Sequence, residues 1–315
     1  MTHVDANLRV LLQGLFALLV VASVIGFVLA KIYGQGSAKA TIDNLNARIR
    51  AWWLMCVVVT LALLIGTTGS VILFVLISFF ALRECLTLTP TKPADHQTLF
   101  VCFFVILPLQ YVLVATGWYG LFSILIPVYV FLFVPTLIAM GGDTTDYMGR
   151  MAKIQWSLMI AIYCISHVPA LLMLDIDGFD GENIKLILFL LIVVQGSDVL
   201  QYIVGKLWGK HPIAPNVSPN KTREGFFGGI GAAVLLGTSL WWITPFAPWQ
   251  AALIALAITL AGFAGGLCMS AIKRDVGIKD FGAMIQGHGG MMDRIDSLCF
   301  SAPVFFHLVR FFFTG

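Results

Sequence analysis

Charge is what this sequence has least of: Asp, Glu, Lys and Arg make up 11% of its 315 residues, against 59% hydrophobic ones. No stretch reads as a soluble domain, and the composition is that of a chain living in lipid. Cysteine is sparse and scattered. Cys56, Cys85, Cys102, Cys164, Cys268 and Cys299 stand singly in or beside apolar runs without a CxxC pair, so neither a disulfide framework nor a zinc site is expected. No basic region precedes the first apolar run, which at about 24 residues exceeds a signal-peptide core and is expected to stay as a helix. Walker-type and Rossmann-type glycine loops are missing, so any nucleotide would have to be held by side chains and metal. Internal repeats and low-complexity tracts are missing too. The net charge of +3 is mild, which suits anionic lipid headgroups and argues against nucleic acid as a partner.

What remains is hydrophobicity in blocks. The mean hydropathy is +0.93, and apolar runs recur at about the 17–25 residues that a hydrocarbon core of roughly 30 Å requires of a spanning helix. Ten are expected, giving an all-α polytopic membrane protein: 8–31, 52–66, 69–88, 98–115, 118–139, 154–174, 184–204, 224–243, 250–271 and 298–314. The second is short, with a break expected at Thr67-Thr68-Gly69, and Pro127 and Pro135 should bend the fifth. Placing 32–51, 89–97, 140–153, 205–223 and 272–297 on one side gathers there, in those loops and their immediate flanks, all of the 19 Lys and Arg except Arg9, Lys185 and Arg310. That asymmetry is the positive-inside pattern and assigns those loops to the cytoplasm.

Ionisable groups at a membrane boundary are costly and by default functional. Residues 1–183 carry few of them in their spans, whereas 184–315 hold nearly all the evident chemistry and are expected to be the catalytic region. The segment from Ser270 to Asp296 brings four Lys or Arg (Lys273, Arg274, Lys279, Arg294), four carboxylates (Asp275, Asp280, Asp293, Asp296) and His288 together with glycines. Carboxylates suit a divalent metal, Lys and Arg suit phosphate, and glycine permits close backbone approach. Upstream, Asp198 lies inside an expected span and must be solvated, paired or metal-bound. It is followed by Tyr202, Gly205 and Gly209, then by a turn at Ser218-Pro219 and a helix start over Lys221-Thr222-Arg223-Glu224. Ser218 and Thr222 are candidate caps. Gly225-Phe-Phe-Gly-Gly229 has the spacing that lets membrane helices approach closely.

Ser270, Lys273, Arg274, Lys279, Asp280, His288, Gly289, Gly290, Asp293, Arg294 and Asp296 fall in register with the signature of the phosphatidate cytidylyltransferases, the CDP-diacylglycerol synthases, which this segment resembles. Asp198, Tyr202, Gly205, Lys206, Gly209, Lys210, Ser218, Pro219, Lys221, Thr222, Glu224 and Gly225 are similar to that family's upstream block, with Gln201 in place of its usual Ala. Arg83-Glu84, at the end of the third span, is a faint further echo. Many members carry Gly-Asp, two residues, Glu-Ser ahead of Lys-Arg, whereas this chain reads Gly265-Gly266-Leu-Cys-Met269-Ser270 and lacks both carboxylates.

The resemblance implies transfer of CMP from CTP to phosphatidic acid, or to a related anionic lipid phosphate, giving CDP-diacylglycerol and pyrophosphate in phospholipid biosynthesis. It implies Mg2+, with room for a second mono- or divalent cation, and a site on the cytoplasmic boundary of a bacterial inner membrane; a homodimer is compatible with it. Asp293, Asp296, Asp198 and Asp280 are then the candidate metal ligands. Asp293, Lys273, Arg274, His288 and Asp280 are the candidate catalytic groups, and Lys221, Lys279, Arg294, Ser218, Thr222 and Tyr202 the candidate substrate contacts. Three other readings stay open at this point: a related CTP-dependent polyprenol or phytol kinase or a cytidylyltransferase for another lipid phosphate, a transporter gated at Asp198, and a non-catalytic homologue.

Overall fold

A computed structural model describes residues 6–33, 39–88, 91–282, 284 and 289–314. Ten helices, at the ten expected places, account for most of them: α1 (Ala6–Tyr33), α2 (Lys39–Ile65), α3 (Thr67–Thr87), α4 (Pro93–Ala115), α5 (Tyr119–Met140), α6 (Tyr147–Met173), α7 (Ile184–Trp208), α8 (Arg223–Ser239), α9 (Pro248–Asp275) and α10 (Leu298–Phe313). Eight are long and apolar enough to cross a bilayer, while α8 and α10, at 17 and 16 residues, are shorter. The protein is an all-α polytopic membrane protein, as its composition requires: in lipid a helix satisfies its own backbone hydrogen bonds.

Three local expectations change. The second span is not short, because α2 begins at Lys39 and carries its polar first turns beyond the apolar run as one 27-residue helix. The break before α3 falls at Gly66, whose φ of +89° only glycine adopts readily, and not at Thr67-Thr68-Gly69. The expected turn at Ser218-Pro219 is a short strand: β2 (Ser218–Thr222) pairs antiparallel with β1 (Pro212–Ala214). Of the two prolines expected to bend the fifth span, Pro127 lies in a π-helical stretch and Pro135 inside a regular helical one. Wider π-turns occupy Cys102–Ile106, Leu125–Val130 and Met159–Cys164, one of them containing Pro127 and another ending shortly before Pro108. Such turns accommodate the hydrogen bond that proline cannot make.

The core runs through both halves of the chain, from Phe74 and Leu82 on α3 to Phe189 on α7 and Phe305 and Phe306 on α10. In the C-terminal half the helices meet at small residues. On α8, a Cβ at Gly225 would lie 2.8 Å from the Gln201 carbonyl oxygen, and one at Gly229 would lie 2.4 Å from the Gln201 Cα, so α8 touches the backbone of α7. On α9, Gly262 and Gly265 meet Ser301 and the Asp296 carbonyl in the same way. With no hydrophobic force between helices in lipid, such contact supplies the packing energy.

Some of the connections assigned to one side are tied to one another in pairs. A fully buried ion pair, Arg150 Nη1 to Asp95 Oδ1 at 2.6 Å, joins the start of α6 to that of α4, and Lys92 reaches Asp143 at 3.0 Å. Arg274 Nε donates to the Val217 carbonyl at 3.2 Å, tying the end of α9 to the β-hairpin.

Candidate active site

The site is assembled by the ways α3, α7, α8 and α9 end. Helix α9 extends further than the apolar run and carries Lys273 and Arg274 in its last turn, where the helix dipole favours cations. It stops in a Schellman arrangement: Gly277, at φ +75°, donates to the Arg274 carbonyl and Ile278 to that of Lys273. Helix α8 is started by Thr222, whose hydroxyl accepts the Gly225 N–H at 3.2 Å, so the cap expected of Thr222 is present. Ser218 sits in β2 opposite Ala214 and caps nothing. Lys221 is thereby fixed one residue before a helix start, with its side chain directed back toward α9.

Asp293 lies in a single helical turn, Met292–Ile295, and is nearly buried. Its Oδ1 accepts from Lys273 Nζ at 3.0 Å, and its Oδ2 accepts the backbone N–H groups of Phe281 and Gly290 at 2.8 and 2.9 Å. Three donors on one carboxylate close the segment between α9 and α10 into a loop. Gly289, at φ +80°, allows that closure, since a Cβ there would lie 2.7 Å from Asp293 Oδ2. Asp280 is exposed, with its Cβ beside Gly289.

Glu84 at the end of α3 supports the same loop and is the residue that the sequence under-weighted. It is 4% exposed and accepts the backbone N–H groups of Met291 and Met292 at 2.9 and 2.8 Å. A Cβ at Gly290 would be 2.4 Å from its Oε2, and one at Gly282 would be 2.8 Å from its Oε1. A carboxylate at a helix's first N–H groups, sealed by two glycines, is what makes Arg83-Glu84 more than an echo.

The second centre is built on Asp198 of α7 and Asp296, both half-buried and each within the other's electrostatic reach. Around them stand Lys221, Lys273 and Arg294. Burial raises the Asp296 carboxyl above its ordinary value, opposed by the charges of Lys273 and Lys221. Burial lowers the Lys221 ammonium, and the two carboxylates counter it. Asp293 and Asp296 are three residues apart and share the cations Lys273 and Arg294, but only Asp293 is hydrogen-bonded to Lys273. Ser297, which the sequence did not single out, is buried, offers its N–H to Asp296 Oδ1 at 2.8 Å and lies beside Asp198. The buried Arg294 Nε has no hydrogen-bond partner among the described residues.

Of the anticipated site residues, the structure therefore brings Asp198, Lys221, Lys273, Asp293, Arg294 and Asp296 together. Arg274 and Lys279 are exposed nearby, Arg274 engaged with Val217. Tyr202 is 63% exposed on the outward face of α7 and stays out of the cluster. His288 lies outside the described residues.

Among the described residues no three His, Cys, Asp or Glu side chains converge to enclose a metal. Asp198 and Asp296, within each other's electrostatic reach, are the two carboxylates that would hold a magnesium ion keeping substrate phosphates and water as its other ligands.

The fold is thus a polytopic helical bundle whose C-terminal helices gather carboxylates and cations where they meet. Residues 46–312 match the Cytidylyltransferase family, and the chain belongs to that family and is a nucleotidyltransferase. It is 36% identical over 305 residues, 95% of this chain and 97% of the relative, to "Uncharacterized protein YnbB" of Escherichia coli (strain K12). It is 47% identical over 119 residues to "Phosphatidate cytidylyltransferase" of Mycobacterium leprae, covering 36% of this chain and 37% of that one. It is 29% identical over 249 residues to "Phosphatidate cytidylyltransferase" of Staphylococcus haemolyticus, covering 77% and 90%.

Proposed function

We propose that the protein transfers CMP from CTP to phosphatidic acid, forming CDP-diacylglycerol and releasing pyrophosphate. An oxygen of the lipid phosphate attacks the α-phosphorus of CTP, and the bond from that phosphorus to the bridging oxygen breaks, leaving with pyrophosphate. A phosphate monoester is largely ionised at neutral pH, with a second pKa of about 6, so no strong general base is needed. The barrier is repulsion between two anions plus their misalignment.

The observation that carries the reading is the cluster of Lys221, Lys273 and Arg294 around Asp198 and Asp296 where α7, α9 and α10 meet. Arg294, with a buried nitrogen that has no hydrogen-bond partner among the described residues, is suited to clamp a phosphate. Lys273, held by Asp293, offers its remaining donors in a fixed place. Asp198 and Asp296 would hold magnesium together with the triphosphate, where the ion would supply charge neutralisation. The basic bias of the connecting loops supports a site facing the cytoplasm of a bacterial inner membrane. There CTP arrives from water and the lipid enters sideways from the leaflet.

The test is turnover of labelled CTP with phosphatidic acid by purified protein, with and without magnesium. Label at the α-phosphorus should enter the lipid fraction in a magnesium-dependent way. Transfer of γ-label instead would make the protein a CTP-dependent lipid kinase, and transfer of neither would remove the reading.

A further inference from the structure

Away from the carboxylate centre, the last turn of α10 holds a cation without a carboxylate partner among the described residues. Arg310 lies roughly 18 Å along α10 from Leu298, at about 1.5 Å per residue, and so marks the end remote from Asp296. Only Arg9 and Lys185 share its side of the membrane, and Lys185 is paired with Glu182 at 2.8 Å. The Arg310 guanidinium instead stands 3.6 Å over the ring of Tyr119, at the start of α5. Contact through a ring face uses the charge but none of the N–H donors, and no acceptor among the described residues takes them. Beside this pair opens a groove of about 800 Å³. Val304, Leu308 and Phe311, at helical spacing on α10, form an apolar stripe of its wall, and His307 and Arg310 form the polar stripe next to it. We propose that the groove binds an anionic glycerophospholipid, its phosphate held by Arg310 and its acyl chains lying along Val304, Leu308 and Phe311.

Three features favour this over an arginine that merely anchors a helix end. The helix dipole explains a cation in the last turn, but an anchoring side chain extends outward to the headgroups, whereas Arg310 is folded onto a neighbouring helix and held there. A guanidinium so fixed presents its donor edges to an anion, for which phosphate is the best geometric match. A second donor stands one turn away: His307 is packed 5.2 Å from the His167 ring and 5.3 Å from that of Phe306, and it too has no hydrogen-bond partner among the described residues. The polarity of the groove also runs in the right direction. Val304 is six residues before Arg310, roughly 9 Å nearer the middle of the bilayer, so headgroup and chains would point as they do in the leaflet. The lipid bridges the start of α5 and the end of α10. This inference is independent of the cytidylyl-transfer reading, because the groove lies at the far end of α10 from the carboxylates.

The experiment is native mass spectrometry of the full chain in dodecyl maltoside, after incubation with phosphatidylglycerol, with phosphatidylcholine, or with phosphatidylglycerol plus excess inorganic phosphate. The wild type is compared with Arg310→Gln and with Val304→Trp, which fills the apolar stripe and keeps the charge. The wild type should retain one phosphatidylglycerol more than either variant, and phosphatidylcholine, whose phosphate carries a compensating charge, should show no such difference. Equal retention of phosphatidylglycerol by wild type and Arg310→Gln overturns the proposal, as does an equal difference with phosphatidylcholine. Displacement of the lipid by inorganic phosphate would make this a site for a soluble anion and overturns it. A lipid-free wild-type dimer that Arg310→Gln dissociates would place a second copy in the groove and overturns it as well. Should Arg310→Gln not yield monodisperse protein, Val304→Trp decides: loss of the lipid supports the proposal and no loss overturns it. No nucleotide is present, so this result is separate from that of the labelled-CTP assay.

Discussion

Replacing Glu84 with Gln isolates what one carboxylate does at a distance of more than two hundred residues in sequence. Glu84 accepts two backbone N–H groups, from Met291 and Met292, at 2.9 and 2.8 Å in a buried setting. Gln keeps the shape and one acceptor oxygen but turns the other into a donor that faces a backbone N–H. One hydrogen bond to a charged group is lost, worth about 1.5–3 kcal/mol. Since about 1.4 kcal/mol is tenfold in an equilibrium, opening of the loop over 289–295 should become roughly 10- to 150-fold more frequent. Amide hydrogen exchange reads that opening directly. Peptides covering 289–295 should exchange faster by that factor, peptides from α5 should not change, and nucleotidyl transfer should fall in parallel. Unaltered exchange at Met291 and Met292 would show that α3 does not hold this loop and would refute the reasoning.

Gly290→Ala puts a Cβ 2.4 Å from Glu84 Oε2, and overpacking of this kind costs about 1–3 kcal/mol; melting temperature and turnover should both fall. Gly231→Ala, on α8 with nothing within 4 Å of the new methyl, should be neutral or slightly stabilising, and equal losses in the two variants would argue against the Glu84 contact. Arg150→Ala strands the buried Asp95 carboxylate and should destabilise by about 3–5 kcal/mol in thermal unfolding, with Arg150→Ala combined with Asp95→Leu less damaged than the single change. Asp296 has a native pKa raised above the ordinary value of 3.8 by burial, so in that window the native state binds more protons than the unfolded state. Its contribution is most favourable below the ordinary value and weakens as pH rises through the raised one. The melting temperature of wild type relative to Asp296→Asn should therefore decline on raising pH through that range, and an opposite trend would contradict the burial argument.

Much of this was legible in the residues. Apolar block length fixed where the ten helices lie, because a bilayer of one thickness imposes one length and forbids unpaired backbone. The Gly225-Phe-Phe-Gly-Gly229 spacing announced a close helix crossing, and it meets Gln201 as such patterns do. The residue types of the site were readable as well: phosphate and metal chemistry needs Lys, Arg and Asp, and in so apolar a chain their presence is conspicuous. Helix ends were less legible. Helix α2 runs through polar residues because nothing at the membrane surface obliges a hydrogen-bonded helix to stop, and α9 carries Lys273 and Arg274 as its last turn until Gly277 ends it.

The sequence by itself determined that the chain crosses a membrane many times and concentrates its charge on one side of its last four helices. Only the tertiary structure decided how those charges are partnered. Asp293 and Asp296, three residues apart, take different hydrogen bonds: Asp293 from Lys273, Phe281 and Gly290, Asp296 from Ser297. Glu84 reaches across from α3 to the loop before α10, and the Lys221 ammonium fills the space beside Gly266. Spacing along a chain sets which residues share one turn, but partners hundreds of residues apart, and the room a missing side chain leaves, exist only once the helices have packed.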